Sequence, residues 1–215
     1  MLGIALFVCA VVSAQAGPAE DRALFAATER GDVPGILHLL KQGAGVNARD
    51  GAGRTPLLAA THANQIEAAR VLIDAGADVN AKDSIQDSAF LYAGAEGRNE
   101  ILKMTLAHGA DLKSTNRYGG TALIPAAHHG HPETVRILLT TKIDKDHVNK
   151  LGWTALLEAV ILGDGGAVHT DIVRQLVTAG ANVNLADRDG VTPLAHARRR
   201  GLTVMMGIME AAGGR

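Results

Sequence analysis

The chain repeats itself at a fixed spacing, and that period limits the fold more than any other feature. Thr55, Ser88, Thr121 and Thr154 are spaced by 33 residues each, and Thr192 follows 38 residues after the last. Each opens a similar block: T-P-L-L-A-A at 55–60, S-A-F-L-Y-A at 88–93, T-A-L-I-P-A at 121–126, T-A-L-L-E-A at 154–159 and T-P-L-A-H-A at 192–197. A unit this short cannot bury an apolar face alone, so units of this kind stack into a solenoid. Ser or Thr at the head of a block predicts a helix N-cap, because the hydroxyl accepts from an orphaned backbone N–H. Pro56 and Pro193, at the first helical position, lose no donor that the helix needs. A second helix follows in each unit, with apolar residues at helical spacing: Ile66, Ala69, Leu72 and Ile73 in one, and Ile172, Val173, Leu176 and Val177 in another. Gly76, Gly109 and Gly180 end those helices. Asp50, Asp83, Asn116, Asn149 and Asp187 each open a turn toward the next block.

The blocks resemble the T-P-L-H-x-A block of ankyrin repeats. Gly76-Ala77-Asp78-Val79-Asn80, Gly109-Ala110-Asp111 and Gly180-Ala181-Asn182-Val183-Asn184 are similar to the family's G-A-D-V-N segment, in the matching phase. The resemblance implies an all-α ankyrin-repeat solenoid of about six helix-turn-helix units with short β-turn or hairpin connections. Its units are an N-terminal cap at 20–49, repeats at 50–82, 83–115, 116–148 and 149–186, and a C-terminal cap at 187–215. Two departures stand out. Lys142 occupies the column of Gly76, so the second helix of the fourth unit must terminate in another way. The fifth unit carries five extra residues between its helices, in the stretch Ile161 to Thr170, with glycines at 163, 165 and 166 and an aspartate at 164. Glycine-rich insertions in loops are often functional, and this one also reads as a longer helix-helix turn.

Residues Leu2 to Val12 form an apolar run too short to span a bilayer as a helix, and Ser13-Ala14-Gln15-Ala16 follows it. That pattern predicts a signal peptide over 1–16, a mature domain over 17–215 and a periplasmic or secreted location with no membrane contact after cleavage. The single Cys, Cys9, falls within the signal. The mature chain then has no thiol for a disulfide, a thiolate nucleophile or a zinc site.

The charge balance, 21 Lys+Arg against 22 Asp+Glu, excludes a dedicated nucleic-acid binder, whose affinity needs a cationic excess over phosphate. Arg198-Arg199-Arg200 is a solvated cap face rather than a phosphate track. The chain holds no nucleophile elbow, H-E-x-x-H pair or phosphate-binding loop, so no enzyme activity and no cofactor is expected. Asp187-Arg188-Asp189-Gly190 lacks the later ligands of a calcium loop. His128, His129 and His131 have a spacing that imidazole ligands could use, but adjacent positions on a helix point different ways, and no metal is assigned.

What remains is surface. In ankyrin stacks the turn tips and inner helices line a concave face, and the resemblance maps its variable columns onto Arg54, Ile85, Tyr118, Leu151 and Trp153 at the tips, and His128, His129 and Ile161 on the helices. With aromatics at only 3% of the chain, Tyr118 and Trp153 on one face suggest a binding patch. Trp153 alternatively covers the glycine-rich insertion as local packing. Asp164 of the insertion joins the candidate partner-binding residues. The resulting expectation is a monomeric, non-enzymatic scaffold that binds another protein. Within the family this implies two jobs: an accessory to an exported enzyme such as catalase, or an immunity protein that neutralises a toxin delivered to the periplasm.

Overall fold

The structure, a computed structural model, describes residues 17–215; the segment read as a signal peptide lies outside the described residues. Among the described residues there are twelve α-helices and no strands, paired into six antiparallel units. The pairs are α1 (Pro18–Arg30) with α2 (Val33–Lys41), α3 (Pro56–His62) with α4 (Ile66–Asp74), α5 (Ala89–Ala95) with α6 (Asn99–Ala107), α7 (Leu123–His128) with α8 (Pro132–Leu139), α9 (Ala155–Ile161) with α10 (Ala167–Thr178), and α11 (Pro193–Arg199) with α12 (Thr203–Ala211). Odd-numbered helices pack on odd-numbered neighbours and even on even, giving an inner and an outer layer. The last unit carries both of its helices.

Each block head does what its residue type dictates. The hydroxyls of Thr55, Ser88, Thr154 and Thr192 accept from the backbone N–H three residues on, at 3.2, 3.3, 3.2 and 3.2 Å. Thr121 is the exception. There the N–H of Ile124 donates to the Thr121 carbonyl at 3.2 Å, and the buried Thr121 hydroxyl has no partner among the described residues. Pro125 lies at the third position of α7, where it brings no N–H to the first turn. The core is built from small and aliphatic side chains, with Leu24, Leu57, Leu72, Ile101, Leu102, Leu138 and Leu156 fully buried, and Phe90 the largest of the buried set.

The ends of the outer helices follow two chemistries. Gly76, Gly109 and Gly180 adopt φ of +89°, +81° and +84°, the left-handed conformation that closes a helix without a Cβ clash. In the fourth unit Lys142 cannot do this cheaply, and two threonines replace the glycine. Thr140 and Thr141 hydroxyls donate to the carbonyls of Ile137 and Leu138 at 2.7 and 2.6 Å, and Thr141 Oγ1 also accepts from the N–H of Ile143. The orphaned last-turn carbonyls are satisfied by side chains instead.

Units are also stitched together by polar side chains. Asn80 Oδ1 accepts from the N–H of Asp111 at 2.8 Å while its Nδ2 donates to the carbonyl of Gly109 at 3.0 Å. Asn47 and Asn184 make the same pair of bonds one unit onward from themselves. Asp146 keeps only the accepting half, from the N–H of Asn182. The carbonyls that end four inner helices receive donors from the following unit: Glu29 from Gln65, Ala95 from His129, His128 from His169, and Ile161 from Arg200. Among the described residues no helix is long and apolar enough to cross a membrane.

Candidate functional site

The connections between units set the rim of the site. In each, an Asp or Asn side-chain oxygen accepts from the N–H groups two and four residues ahead: for Asn116 these are Tyr118 and Gly120, and for Asn149 they are Leu151 and Trp153. The backbone closes the same loop, with the N–H of Asn149 donating to the carbonyl of Trp153 at 3.0 Å. This rigid turn holds the second residue after the Asx position outward. Ile85, Tyr118 and Leu151 accordingly stand 48%, 53% and 50% exposed, although apolar bodies of that size favour burial.

Between these tips and the inner helices runs a groove of about 540 Å³. Its rim carries the exposed apolar residues Ile85, Tyr118, Leu151 and Leu162, its floor the more buried polar groups His62, Tyr92 and Glu158, and the part-exposed His128 and His129 line it as well. His62 stacks on Tyr92 with ring centroids 3.8 Å apart. The Arg117 guanidinium lies 4.8 Å from the centre of the Tyr118 ring and 3.5 Å from Asp87 Oδ2, so the rim's fixed cation is already engaged.

Glu158 is the unusual member of the floor. It occupies the block position held by Ala59, Tyr92 and Pro125 in earlier units, and only 5% of it is exposed. Asn149 Nδ2 donates to its Oε1 at 2.8 Å, while its Oε2 lies 3.4 Å from His128 Nδ1. Burial pushes the Glu158 carboxyl up to about 7, against the opposing pull of the Asn149 hydrogen bond and the His129 charge. The imidazoles of His62 and His128 are held below their ordinary range, chiefly because burial penalises the charged ring. Burial likewise raises Asp87, and this outweighs the opposing effect of Arg117.

The groove gathers some of the residues that the sequence points to and leaves others out. Ile85, Tyr118, His128, His129 and Leu151 all line it. His128 and His129 do so together at the end of α7, with rings 4.8 Å apart, against the divergence expected of adjacent helical positions. Trp153 is half-buried and outside the lining, as is Ile161, whose neighbour Leu162 takes its place. Arg54 faces a separate hollow at the N-terminal end, where it pairs with Asp50 at 2.8 Å and Glu29 at 3.3 Å. Asp164 is exposed on the insertion and turned inward chemically, accepting from the N–H of Gly166 and lying 2.9 Å from His169 Nδ1. Among the described residues no three His, Cys, Asp or Glu side chains converge as a metal ion requires.

Stacked helix pairs with capped inner helices, Asx-braced turn tips and a groove between the two define a repeat protein of the ankyrin class. The family model for ankyrin repeats (3 copies) matches residues 6–83 and 90–187, and the chain belongs to the ankyrin repeat family. It is 58% identical to an ankyrin repeat domain from Acinetobacter baumannii AYE, whose crystal structure superposes with a TM-score of 0.87 over 89% of this chain and 98% of that one. It is 43% identical to the ankyrin repeat protein EF0377, with a TM-score of 0.85 over 88% of this chain and 97% of that one. The ankyrin repeat domain of Bcl-3, a member of the IkappaB protein family, is 28% identical, with a TM-score of 0.81 over 90% of this chain and 86% of that one. No curated protein matches the chain significantly.

Proposed function

We propose that this chain is an exported, monomeric, non-enzymatic scaffold of the periplasm that binds one protein partner in the groove between its turn tips and inner helices. The observation that carries the reading is the apolar rim: Tyr118, Leu151, Ile85 and, at 42% exposed, Leu162 all face one groove. Exposed large apolar side chains that converge on one concavity are typical anchors for a partner, and a prebuilt groove loses little conformational entropy on binding. The capped and stitched units supply that rigidity. Location follows from the apolar run and small-residue segment at residues 2–16.

Cross-linked capture from a periplasmic extract of the source bacterium tests both halves. A protein retained by the wild-type chain and lost by Tyr118→Ala/Leu151→Ala supports the groove reading. Its identity separates an exported antioxidant enzyme from a delivered toxin. Equal capture by both chains, or none by either, overturns the reading. Recovery of the protein only in the cytoplasmic fraction overturns the location.

A further inference from the structure

The floor of the groove holds an acid that the fold itself does not neutralise. Glu158 is more than nine-tenths buried, yet its Oε2 makes no hydrogen bond among the described residues, and its basic neighbours are imidazoles, His129 and the nearer His128 ring 3.4 Å away that burial holds toward the neutral form. A buried carboxylate without a matched cation or several donors is costly, and proteins seldom keep one where an alanine would do, as Ala59 does at the same block position. His62 Nε2, in the same groove, is also buried without a partner among the described residues.

The charge around the floor narrows what can complete it. Three carboxylates line the groove, Asp87, Glu96 and Glu158, against one fixed cation, Arg117, which is spent on Asp87 and the Tyr118 ring at the rim. The acid lies beneath apolar rim residues, so its complement must carry charge at the end of a long apolar stem. Lysine and arginine have that form: their methylenes cover apolar surface while the head reaches a polar site.

We infer that the groove takes an Arg or Lys side chain of its protein partner, with Glu158 as the counter-charge on the floor and Tyr118, Leu151 and Leu162 against its stem. This deepens the groove-binding reading and rests on it. A cation seated beside Glu158 restores the ionised carboxylate that burial disfavours. Asn149, already donating to Oε1, leaves Oε2 as the oxygen that meets it.

A randomised peptide library displayed on phage and selected against the full chain supplies the probe. The expected result is a set of peptides sharing an Arg or Lys, bound roughly tenfold or more weakly by Glu158→Gln. Replacing the peptide's arginine with the isosteric, uncharged citrulline should cost wild type the same factor and cost Glu158→Gln nothing. If Glu158→Gln does not fold, the citrulline comparison on wild type carries the test alone. Peptides that need Tyr118 and Leu151 but bind citrulline as tightly as arginine overturn the cation and leave the groove reading standing. Peptides indifferent to Tyr118→Ala/Leu151→Ala, or the absence of any selected peptide, overturn both.

Discussion

The His169 imidazole ties the fifth unit to the fourth: its Nε2 donates to the His128 carbonyl at 2.9 Å, while its Nδ1 lies 2.9 Å from Asp164 Oδ1. Both neighbours are acceptors, one the backbone of the preceding unit and the other the insertion's own carboxylate. The ring lies so close to Gly163 that a Cβ there would come within 2.6 Å of it. His169→Ala is therefore expected to lower the unfolding free energy by about 1–3 kcal/mol, from the unmet His128 carbonyl and the lost packing. Asp164→Ala, at a solvent-exposed carboxylate, should cost much less. Urea denaturation of the two variants beside wild type decides this; a His169→Ala chain as stable as wild type would show that the insertion holds without its tie.

Thr121 and Thr154 head equivalent blocks and should respond in opposite ways to valine. Thr154 caps α9 by accepting from Leu157, and losing that bond should cost about 1 kcal/mol. Thr121 caps nothing, and its buried hydroxyl has no partner among the described residues. Thr121→Val replaces an unmet polar group with an apolar one of the same shape, so stability should stay within about 0.5 kcal/mol of wild type or rise. A loss at Thr121→Val equal to that at Thr154→Val in urea titrations would show that both hydroxyls are satisfied.

Most of the frame was legible because each unit writes its own stops and starts: a hydroxyl before the inner helix, a glycine after the outer one, an Asx residue at the turn. The failures have local causes. Column matching placed Arg54 beside Tyr118 and Trp153, but a long side chain goes where its charges are, and Arg54 reaches Asp50 and Glu29 instead. Trp153 shares the turn of Leu151, yet it is half-buried and lies outside the groove lining, which column position alone does not reveal. Asp164 looked free because its partner His169 is five residues away across the insertion. Glu158 hid inside a matching block; the signal for it was a carboxylate in a column otherwise filled by Ala59, Tyr92, Pro125 and His196. The asparagines at 47, 80 and 184 were visible as part of the repeat motif, but their role in joining units needs the third dimension.

Gly94 is a buried glycine inside α5, a position where alanine would favour the helix by about 1 kcal/mol. A Cβ there would meet the Cβ of Ala122 at 2.8 Å and its carbonyl oxygen at 3.3 Å, at the contact between the third and fourth units. Overpacking of that kind costs about 1–3 kcal/mol, so Gly94→Ala should be destabilising on balance, by about 1 kcal/mol. Calorimetry should find a lowered Tm; an unchanged or raised Tm would mean that the two inner helices can separate by a few tenths of an ångström without loss.

The raised carboxyl of Glu158 ties stability to pH with a definite sign. Its folded value of about 7 stands above its ordinary 4.5, so between those values the folded chain holds a proton that the unfolded chain has released. Stability from this group is fully present below about 4.5 and is lost as pH rises through about 7. His62, His128 and His131 act in the opposite sense, since burial lowers them and folding disfavours their protonated forms. The whole-protein curve therefore mixes two slopes, and the comparison that isolates the acid is wild type against Glu158→Gln. The glutamine keeps an oxygen for Asn149 and cannot titrate. Chemical denaturation from pH 5 to pH 8 should show wild type losing stability relative to the variant as pH rises, with the difference levelling off above about 7. Parallel curves would mean that Glu158 ionises at its ordinary pH despite its burial, and the groove floor would then carry a fixed negative charge throughout that range.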